Sequence, residues 1–125
     1  MAMKVALEVT PDKYLPHRYA GASGDFNPIH IDQEFAREVG LPSNILHGLY
    51  SMAQVARACT QAAGGDPRSL RRLSVQFRGM GFPEQEITVS GKEREGGEGP
   101  VVLDLEAEQG GKKIIKNAEA ELMGL

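Results

Sequence analysis

The 125-residue sequence has a single cysteine, Cys59, and no tryptophan. One cysteine cannot form a disulfide within the chain or supply a cysteine pair to a metal, so a disulfide scaffold is excluded and a reducing compartment fits. No stretch approaches the roughly 20 apolar residues that a helix needs to cross a bilayer. The N-terminal segment meets Glu8 before an apolar run of signal-peptide length develops. We therefore expect a cytoplasmic protein with no membrane partner.

An excess of basic charge is also missing. The chain carries 14 lysines and arginines against 17 aspartates and glutamates, for a formal net charge of -3. Proteins that bind polyanions usually show the opposite balance, so we expect no nucleic-acid partner. What is present is a globular composition, 41% hydrophobic and 25% charged, at a length that fits one domain. The sequence predicts a single domain over residues 1–125.

The first third of the chain is predicted to be rich in loops. Val5–Val9 alternates apolar and polar residues as a short strand does. Pro11 stands at a helix-opening position and leads into Asp12–Ala20, which we predict as one or two helical turns. The stretch Gly21–His30 is rich in glycine, serine, asparagine and proline, a composition typical of a loop.

Two helices are predicted after this loop. The first is short: Asp32 can cap its N-terminus, Phe35 and Val39 share its apolar face, and Gly40 stops it. The second runs from about Gly48 to Ala63 and is apolar around most of its circumference, which predicts a helix enclosed by other structure. Its single polar stripe consists of Gln54, Arg57 and Gln61.

Beyond this helix the hydrophobic period changes to two, which predicts strands. The apolar faces are Leu73, Val75 and Phe77; Ile87, Val89 and Gly91; Val101, Leu103, Leu105 and Ala107; and Ile114, Ala118, Ala120 and Leu122. The segments Gly96–Gly99 and Gly110–Gly111 are short enough for antiparallel hairpins. A buried helix followed by such a meander predicts an α+β layout in which the sheet curls around the helix. The exposed strand edge and thin core favour dimerisation.

The densest cluster of reactive residues lies in the segment Ser23–His30. Gly24 permits backbone angles that a side chain would forbid, whereas Pro28 fixes its own φ and restricts Asn27. The loop is therefore stiffened around Asp25 and His30, so that two side chains can be held in register. An aspartate and a neutral histidine that converge on one point can share a water molecule and exchange protons with it, which is general acid and base chemistry. Taken singly, such residues more often cap turns or occupy surface positions.

The complete string resembles a family signature. Tyr19, followed by Ser23-Gly24-Asp25-Phe26-Asn27-Pro28-Ile29-His30, resembles the S-G-D-x-N-P-x-H pattern of the MaoC-like, or hydratase 2, family of (R)-specific enoyl-CoA hydratases and dehydratases. Ile45–Leu49 resembles the H-G-M segment that opens the family's central helix, and Val75–Pro83 resembles the strand that follows that helix. The resemblance extends from about Tyr14 to Lys92. It implies a hot-dog fold, in which an antiparallel sheet wraps a long central helix.

The resemblance also implies roles for four residues. Asp25 and His30 would be the catalytic acid/base pair, Asn27 would orient them or the water, and the backbone N–H of Gly48 would be the oxyanion donor. The position of Gly48 at a helix N-terminus supports its role independently, because free N–H groups and the positive end of the helix dipole favour developing negative charge. The implied reaction is reversible hydration of trans-2-enoyl thioesters, carried by CoA or acyl carrier protein, to (R)-3-hydroxyacyl thioesters. It requires no metal and no cofactor.

The sequence departs from the family pattern at two places. Leu49 replaces the common methionine, and Glu84-Gln85 stands where relatives often have a Gly-Asp turn. The second departure lies near the expected mouth of the pocket and bears on the acyl-chain preference. Neither change removes a residue that the proposed chemistry needs.

Other reactive residues have simpler interpretations. His17, His30 and His47 lack the short ligand spacing of structural zinc sites, so no metal site is expected, and His47 is predicted to make a local cap or packing contact. Cys59 is predicted to fill the core. Two short basic runs are usually solvated surface, but they could bind the phosphates of CoA or phosphopantetheine. The runs are Arg68, Arg71 and Arg72, and Lys112, Lys113 and Lys116.

Two other functions fit the same residues. A hot-dog acyl-CoA thioesterase would use Asp25 to activate water against the carbonyl carbon and would release a free thiol. A second alternative, favoured by the short chain, is one subunit of a heterodimeric dehydratase or of an acyl-thioester-binding assembly. The leading hypothesis remains a homodimeric hydratase.

Overall fold

The structure is a computed structural model, and it describes residues 2–96 and 98–123. In chain order the elements are β1 (Lys4–Val9), α1 (Leu15–Ser23), α2 (Pro28–Ile31), α3 (Gln33–Glu38), α4 (Gly48–Ala62), a 3₁₀ turn (Pro67–Ser69), β2 (Leu70–Phe77), β3 (Ile87–Glu93), β4 (Val101–Gln109) and β5 (Lys112–Leu122). Over these two ranges, no helix combines the length and apolar character needed to cross a membrane.

The five strands form one antiparallel sheet in the order β1-β3-β4-β5-β2. In the β4–β5 hairpin, Gln109 pairs with Lys112, and Gly110 and Gly111 between them have positive φ angles of 57° and 79°. Two positive φ angles are what a two-residue hairpin turn requires, so the glycines determine this turn. The predicted connection between β3 and β4 also joins antiparallel strands, although its Gly97 lies outside the described residues.

Helix α4 lies across the sheet and contacts all five strands. Burial of aliphatic side chains between helix and sheet is the main favourable contribution to this packing. The fully or nearly fully buried residues of this core are Val55, Ala58, Cys59, Ile87, Val89, Leu103, Ala107, Ile115, Ala118 and Ala120. Strand alternation supplies most of them, and the predicted α+β arrangement of one long helix against an antiparallel sheet is confirmed.

The first helix begins later than the sequence suggested. Asp12–Ala20 was the predicted span, but the Asp12 side chain accepts hydrogen bonds from the backbone N–H of Tyr14 at 2.8 Å and from Arg18. These bonds form a turn before α1, and the Arg18 guanidinium lowers the pKa of the Asp12 carboxyl. At the other end the helix extends to Ser23, where Gly24 terminates it with a left-handed φ of 81°.

Three local predictions need correction. In α3, Asp32 does cap the helix, but Ala36 is the buried residue and Val39 is exposed. In α4, the polar Gln54 is buried and the apolar Leu49 is exposed, so burial does not follow the polar stripe. Val39, at the end of α3, and Leu49, in the first turn of α4, lie at the margin of the core. Gln54 lies in the second turn of α4, where its Oε1 accepts a hydrogen bond from Arg57 at 3.3 Å.

The strict alternation predicted for the last strand fails in its middle. Ile114 and Ile115 are both buried, whereas alternation would place them on opposite faces. The pairing of β5 with its neighbours shifts near this point, and Asn117 adopts a positive φ of 50°. An irregularity of this kind bends a strand and changes which face its side chains occupy, which explains the adjacent buried isoleucines.

Candidate active site

The loop between α1 and α2 is shaped by short-range hydrogen bonds from side chains to backbone. Ser23 Oγ accepts from the N–H of Asp25 at 3.2 Å, and Asp25 Oδ1 accepts from the N–H of Asn27 at 3.2 Å. Asn27 Oδ1 in turn accepts from the N–H of Ile29 at 3.2 Å. The last bond caps α2, so the predicted loop Gly21–His30 becomes helical earlier than expected, at Pro28.

Asp25 precedes this one-turn helix, and His30 lies within it. The distance between Asp25 Oδ2 and His30 Nε2 is 3.7 Å. The Asp25 side chain is 52% exposed, whereas that of His30 is 11% exposed. A separation of 3.7 Å is too long for a good direct hydrogen bond, but a water oxygen can lie within hydrogen-bonding distance of both atoms. The two predicted catalytic side chains are therefore brought together.

The tautomer of His30 follows from its second nitrogen. His30 Nδ1 lies 2.9 Å from the carbonyl oxygen of Ile45. Because a carbonyl oxygen can only accept, Nδ1 carries the hydrogen, and in the neutral ring Nε2 carries the lone pair. That lone pair is on the nitrogen nearer to Asp25, where it can take a proton from a water molecule.

The segment 44–47 fastens the loop from the other side. Asn44 Nδ2 donates to the carbonyl of His30 at 2.8 Å, and the N–H of Ile45 donates to the carbonyl of Ile29 at 2.9 Å. His47 Nε2 lies 2.9 Å from the carbonyl oxygen of Asp25 and donates to it. Together with the bond from His30 to Ile45, four hydrogen bonds join the two segments. Both candidate catalytic residues are thus held through the segment that leads into α4.

Gly48 begins α4 directly after this segment. The first N–H groups of a helix have no partner within the helix, and the dipole makes this end positive. A Cβ at position 48 would lie 3.2 Å from Cε1 of Phe77, so the glycine brings the end of β2 close to the helix start. Gly48 is exposed and Phe77 is 48% exposed. A ligand can approach the helix terminus along an apolar side chain.

Sequence reasoning underestimated His47. As the residue before α4 it is predicted to make a cap or packing contact; its side chain does not cap the helix, and its ring does make packing contacts. Its ring is stacked between those of His30, at a centroid distance of 3.9 Å, and Tyr19, at 4.8 Å. The only signal in the sequence was the position of His47 and Tyr19 within the segments that resemble the family. Contacts between residues 17 and 28 positions apart are not visible from local spacing.

The three histidines that the sequence analysis rejected as a metal site do not form one cluster. His17 Nε2 is bonded to the carbonyl of Ile31, whereas Asp25, His30 and His47 each offer an atom within 4.8 Å of the others. A zinc ion lies in the plane of a ligating imidazole, about 2.1 Å from its nitrogen. The rings of His30 and His47 are stacked at an angle of 20°, so their lone pairs do not converge on one ion. This geometry fits acid and base chemistry better than metal binding.

The remaining candidates lie apart from this cluster or in the core. Arg68 is paired with Asp66 at 2.7 Å, and the Arg68 guanidinium lowers the pKa of the Asp66 carboxyl. Arg71 and Arg72 are exposed on the edge strand β2. The Cys59 thiol is fully buried, and burial raises its pKa to about 11, which fits the predicted role in packing.

Comparison with known proteins gives the same fold and a family. Residues 2–118 match the MaoC like domain. The chain is 38% identical over 107 residues to the fatty acid synthase subunit beta of Aspergillus oryzae, covering 83% of this chain but 5% of that protein. It is 33% identical over 89 residues to the enoyl-CoA hydratase ChsH3 of Mycobacterium tuberculosis, covering 70% of this chain and 30% of that protein.

A solved structure supports the fold over nearly the whole chain. The (R)-hydratase of A. caviae, described as involved in PHA biosynthesis, superimposes with a TM-score of 0.84 at 23% identity, covering 97% of this chain and 93% of that one. The hot-dog arrangement expected from the resemblance is therefore confirmed. The match to the family domain extends over most of the sequence and includes every candidate site residue. The chain belongs to the MaoC-like dehydratase family.

Proposed function

We propose that the protein catalyses reversible hydration of trans-2-enoyl thioesters to (R)-3-hydroxyacyl thioesters. The observation that carries this proposal is the 3.7 Å separation of Asp25 Oδ2 from His30 Nε2, with Nδ1 of the same histidine bonded to the Ile45 carbonyl. A water molecule between the two side chains would be activated without any change in ring orientation. The names of two relatives, an enoyl-CoA hydratase and an (R)-hydratase, support the substrate class and the stereochemistry.

The proton path follows from the tautomer of His30. In hydration, Nε2 of His30 removes a proton from the bound water while the water oxygen forms a bond to the β-carbon. The second hydrogen stays on the water oxygen and donates a hydrogen bond to the Asp25 carboxylate, which also stabilises the imidazolium that forms. The electron pair of the double bond moves toward the thioester carbonyl, and His30 then returns the proton to the α-carbon. The sum is addition of H and OH with no redox change, so no cofactor is needed.

Gly48 and Asn27 complete the proposed site. The thioester oxygen gains negative charge in the transition state. The N–H of Gly48, an exposed residue at the start of α4, is our proposed donor to it. Asn27 acts mainly through the loop: its Oδ1 caps α2, and its N–H bonds to Asp25. In this arrangement Asn27 orients Asp25 relative to the water, which is a positioning role.

The assembly proposal rests on the sheet edges. Strands β1 and β2 are the outer strands of the sheet, and Phe77 and Met80 are exposed on or just after β2. We propose that residues 1–125 act as one domain in a cytoplasmic homodimer. The carrier of the acyl group is CoA or acyl carrier protein. A native mass equal to two chains would support the homodimer, and co-purification with a different hot-dog chain would identify the heterodimeric alternative.

The first experiment follows the ultraviolet absorbance of a short series of trans-2-enoyl-CoA substrates. We expect absorbance loss without thiol release for the wild-type protein, and a loss of about 10²–10⁴ in kcat for Asp25→Asn. Asp32→Asn is the matched control, because it makes the same change in a neighbouring aspartate whose capping bond an asparagine can also make. Thiol release would indicate a thioesterase, and equal activity of Asp25→Asn and wild type would refute the proposed mechanism.

A further inference from the structure

His47 is sandwiched between two rings at the candidate site. Its imidazole lies over that of His30 with centroids 3.9 Å apart and an angle of 20° between the planes. On its other face is the ring of Tyr19, with centroids 4.8 Å apart and an angle of 13°. Tyr19 is in turn packed edge-on against Tyr50. His47 is 4% exposed, so its position is fixed on both faces.

The two nitrogens of His47 are used unequally. Nε2 donates to the carbonyl oxygen of Asp25 at 2.9 Å. Nδ1 is buried and has no hydrogen-bond partner among residues 2–96 and 98–123. A buried polar atom without a hydrogen-bond partner lowers stability. A phenylalanine ring could fill the same space between the two rings, and it has no polar atom that would be left unpaired. The bond from Nε2 to Asp25 is therefore the feature that calls for a histidine here.

These contacts connect one side chain to both members of the proposed pair. Through Nε2 the ring holds the backbone of Asp25, and through its face it holds the plane of His30. We propose that His47 is a positioning residue that fixes the relative placement of the Asp25 carboxylate and the His30 imidazole. For its effect on reaction rate, this inference rests on the proposed hydratase function. It assigns His47 no contact with the reacting atoms.

Two variants separate the two kinds of contact. His47→Phe keeps a ring between Tyr19 and His30 but removes the donor to Asp25. His47→Gln keeps an amide N–H near the position of Nε2 but removes the ring. His17→Phe is the matched control, since His17 makes the same type of bond to a backbone carbonyl, that of Ile31, outside this stack. The probe substrate is trans-2-butenoyl-CoA.

We expect His47→Phe to lower kcat at least about tenfold while KM stays within about twofold, because small displacements of catalytic groups cost rate rather than binding. His47→Gln should recover part of the lost kcat, and His17→Phe should match wild type. A purely structural role would lower the melting temperature of both His47 variants without this kcat pattern. Wild-type kcat in His47→Phe, or a loss confined to KM, would overturn the proposal.

A second measurement does not depend on activity. Long-range ¹H–¹⁵N spectra of the wild-type protein should show His47 with its hydrogen on Nε2 and a bare Nδ1. A hydrogen on Nδ1, or the averaged signals of a free ring, would overturn the proposal. If the wild-type protein hydrated no enoyl thioester, the proposed function would fail, and these spectra would still decide whether His47 holds Asp25. They also decide the question if a His47 variant does not fold.

Discussion

The loop that carries Asp25 and the sheet beneath α4 are stabilised in opposite ways. Residues 21–28 are all exposed, and the Asp25 loop keeps its shape through hydrogen bonds from side chains to backbone. The sheet is held by aliphatic side chains that are almost completely buried, such as Ile87, Leu103 and Ile115. Directional bonds specify where a side chain points, whereas burial supplies most of the stability. We therefore expect substitutions in the loop to change rate and substitutions in the sheet to change stability.

His30→Asn should give the largest effect and tests the site side of this comparison, since His30 lies in α2 directly after the Asp25 loop and faces Asp25. An asparagine amide can replace Nδ1 as donor to the Ile45 carbonyl, while Nε2, the proposed base, is deleted. We expect kcat to fall by about 10²–10⁴, the usual contribution of one acid or base group. The melting temperature should fall by less than in a core truncation, because the bond to the Ile45 carbonyl is kept although the ring stacked on His47 is lost. Steady-state kinetics and thermal unfolding on the same sample check both parts, and residual kcat above one tenth of wild type would contradict the assignment.

Leu103→Ala tests the sheet, the second region of the comparison. Leu103 is fully buried in the core cluster that also includes residues of α4. Truncating a buried leucine removes apolar burial and leaves a cavity. We expect a loss of about 2–5 kcal/mol in the free energy of unfolding, measured by urea denaturation. Below the unfolding transition, kcat per folded molecule should stay within about twofold of wild type. A fall in kcat as large as that of His30→Asn would show that the two regions are not separable.

Two features of the sequence predict most of the fold: the segment Ser23–His30, which resembles the family signature, and the alternation of apolar and polar residues in the strands. Alternation gave the sheet and its buried aliphatic face, because side chains on a strand have a period of two and one face of this sheet is covered. It failed at Ile114 and Ile115, since an irregular pairing is a tertiary feature with no local signature. The fold class was thus accessible from the sequence, and the local departures from it were not.

The site was predicted in part, for a related reason. Asp25 and His30 were identified because their string resembles a known signature, and the structure brings their side chains to 3.7 Å. The support from Asn44 and His47 depends on bonds that span 14 and 22 residues, which no helical or strand period encodes. Local patterns can nominate reactive groups, but the residues that orient them become visible only after folding.

The arginines of the edge strand extend the comparison to ligand binding. Arg71 and Arg72 are exposed on β2, outside both the loop and the core. If they meet the phosphates of CoA, Arg71→Glu with Arg72→Glu should raise KM for an enoyl-CoA about fivefold and leave kcat and the melting temperature unchanged. The same variant should show wild-type KM with an enoyl N-acetylcysteamine thioester, which has no phosphate. An unchanged KM for the CoA substrate would remove these arginines from the site.

Glu84 gives the smallest expected effect, at a turn outside both the Asp25 loop and the buried face of the sheet. It has a positive φ of 69°, and its N–H donates to the carbonyl of Pro11, so the turn before β3 is tied to the segment after β1. Glycine adopts this conformation without the steric cost that a side chain incurs, although it also increases the freedom of the unfolded chain. We expect Glu84→Gly to raise the free energy of unfolding by about 0.5 kcal/mol and to leave kcat unchanged. Gln85→Gly is the control at a neighbouring exposed position without a positive φ, and it should lower the free energy of unfolding by a similar amount. Thermal unfolding of the two variants checks the contrast, and equal shifts in the same direction would show that backbone strain at Glu84 is not what limits this turn.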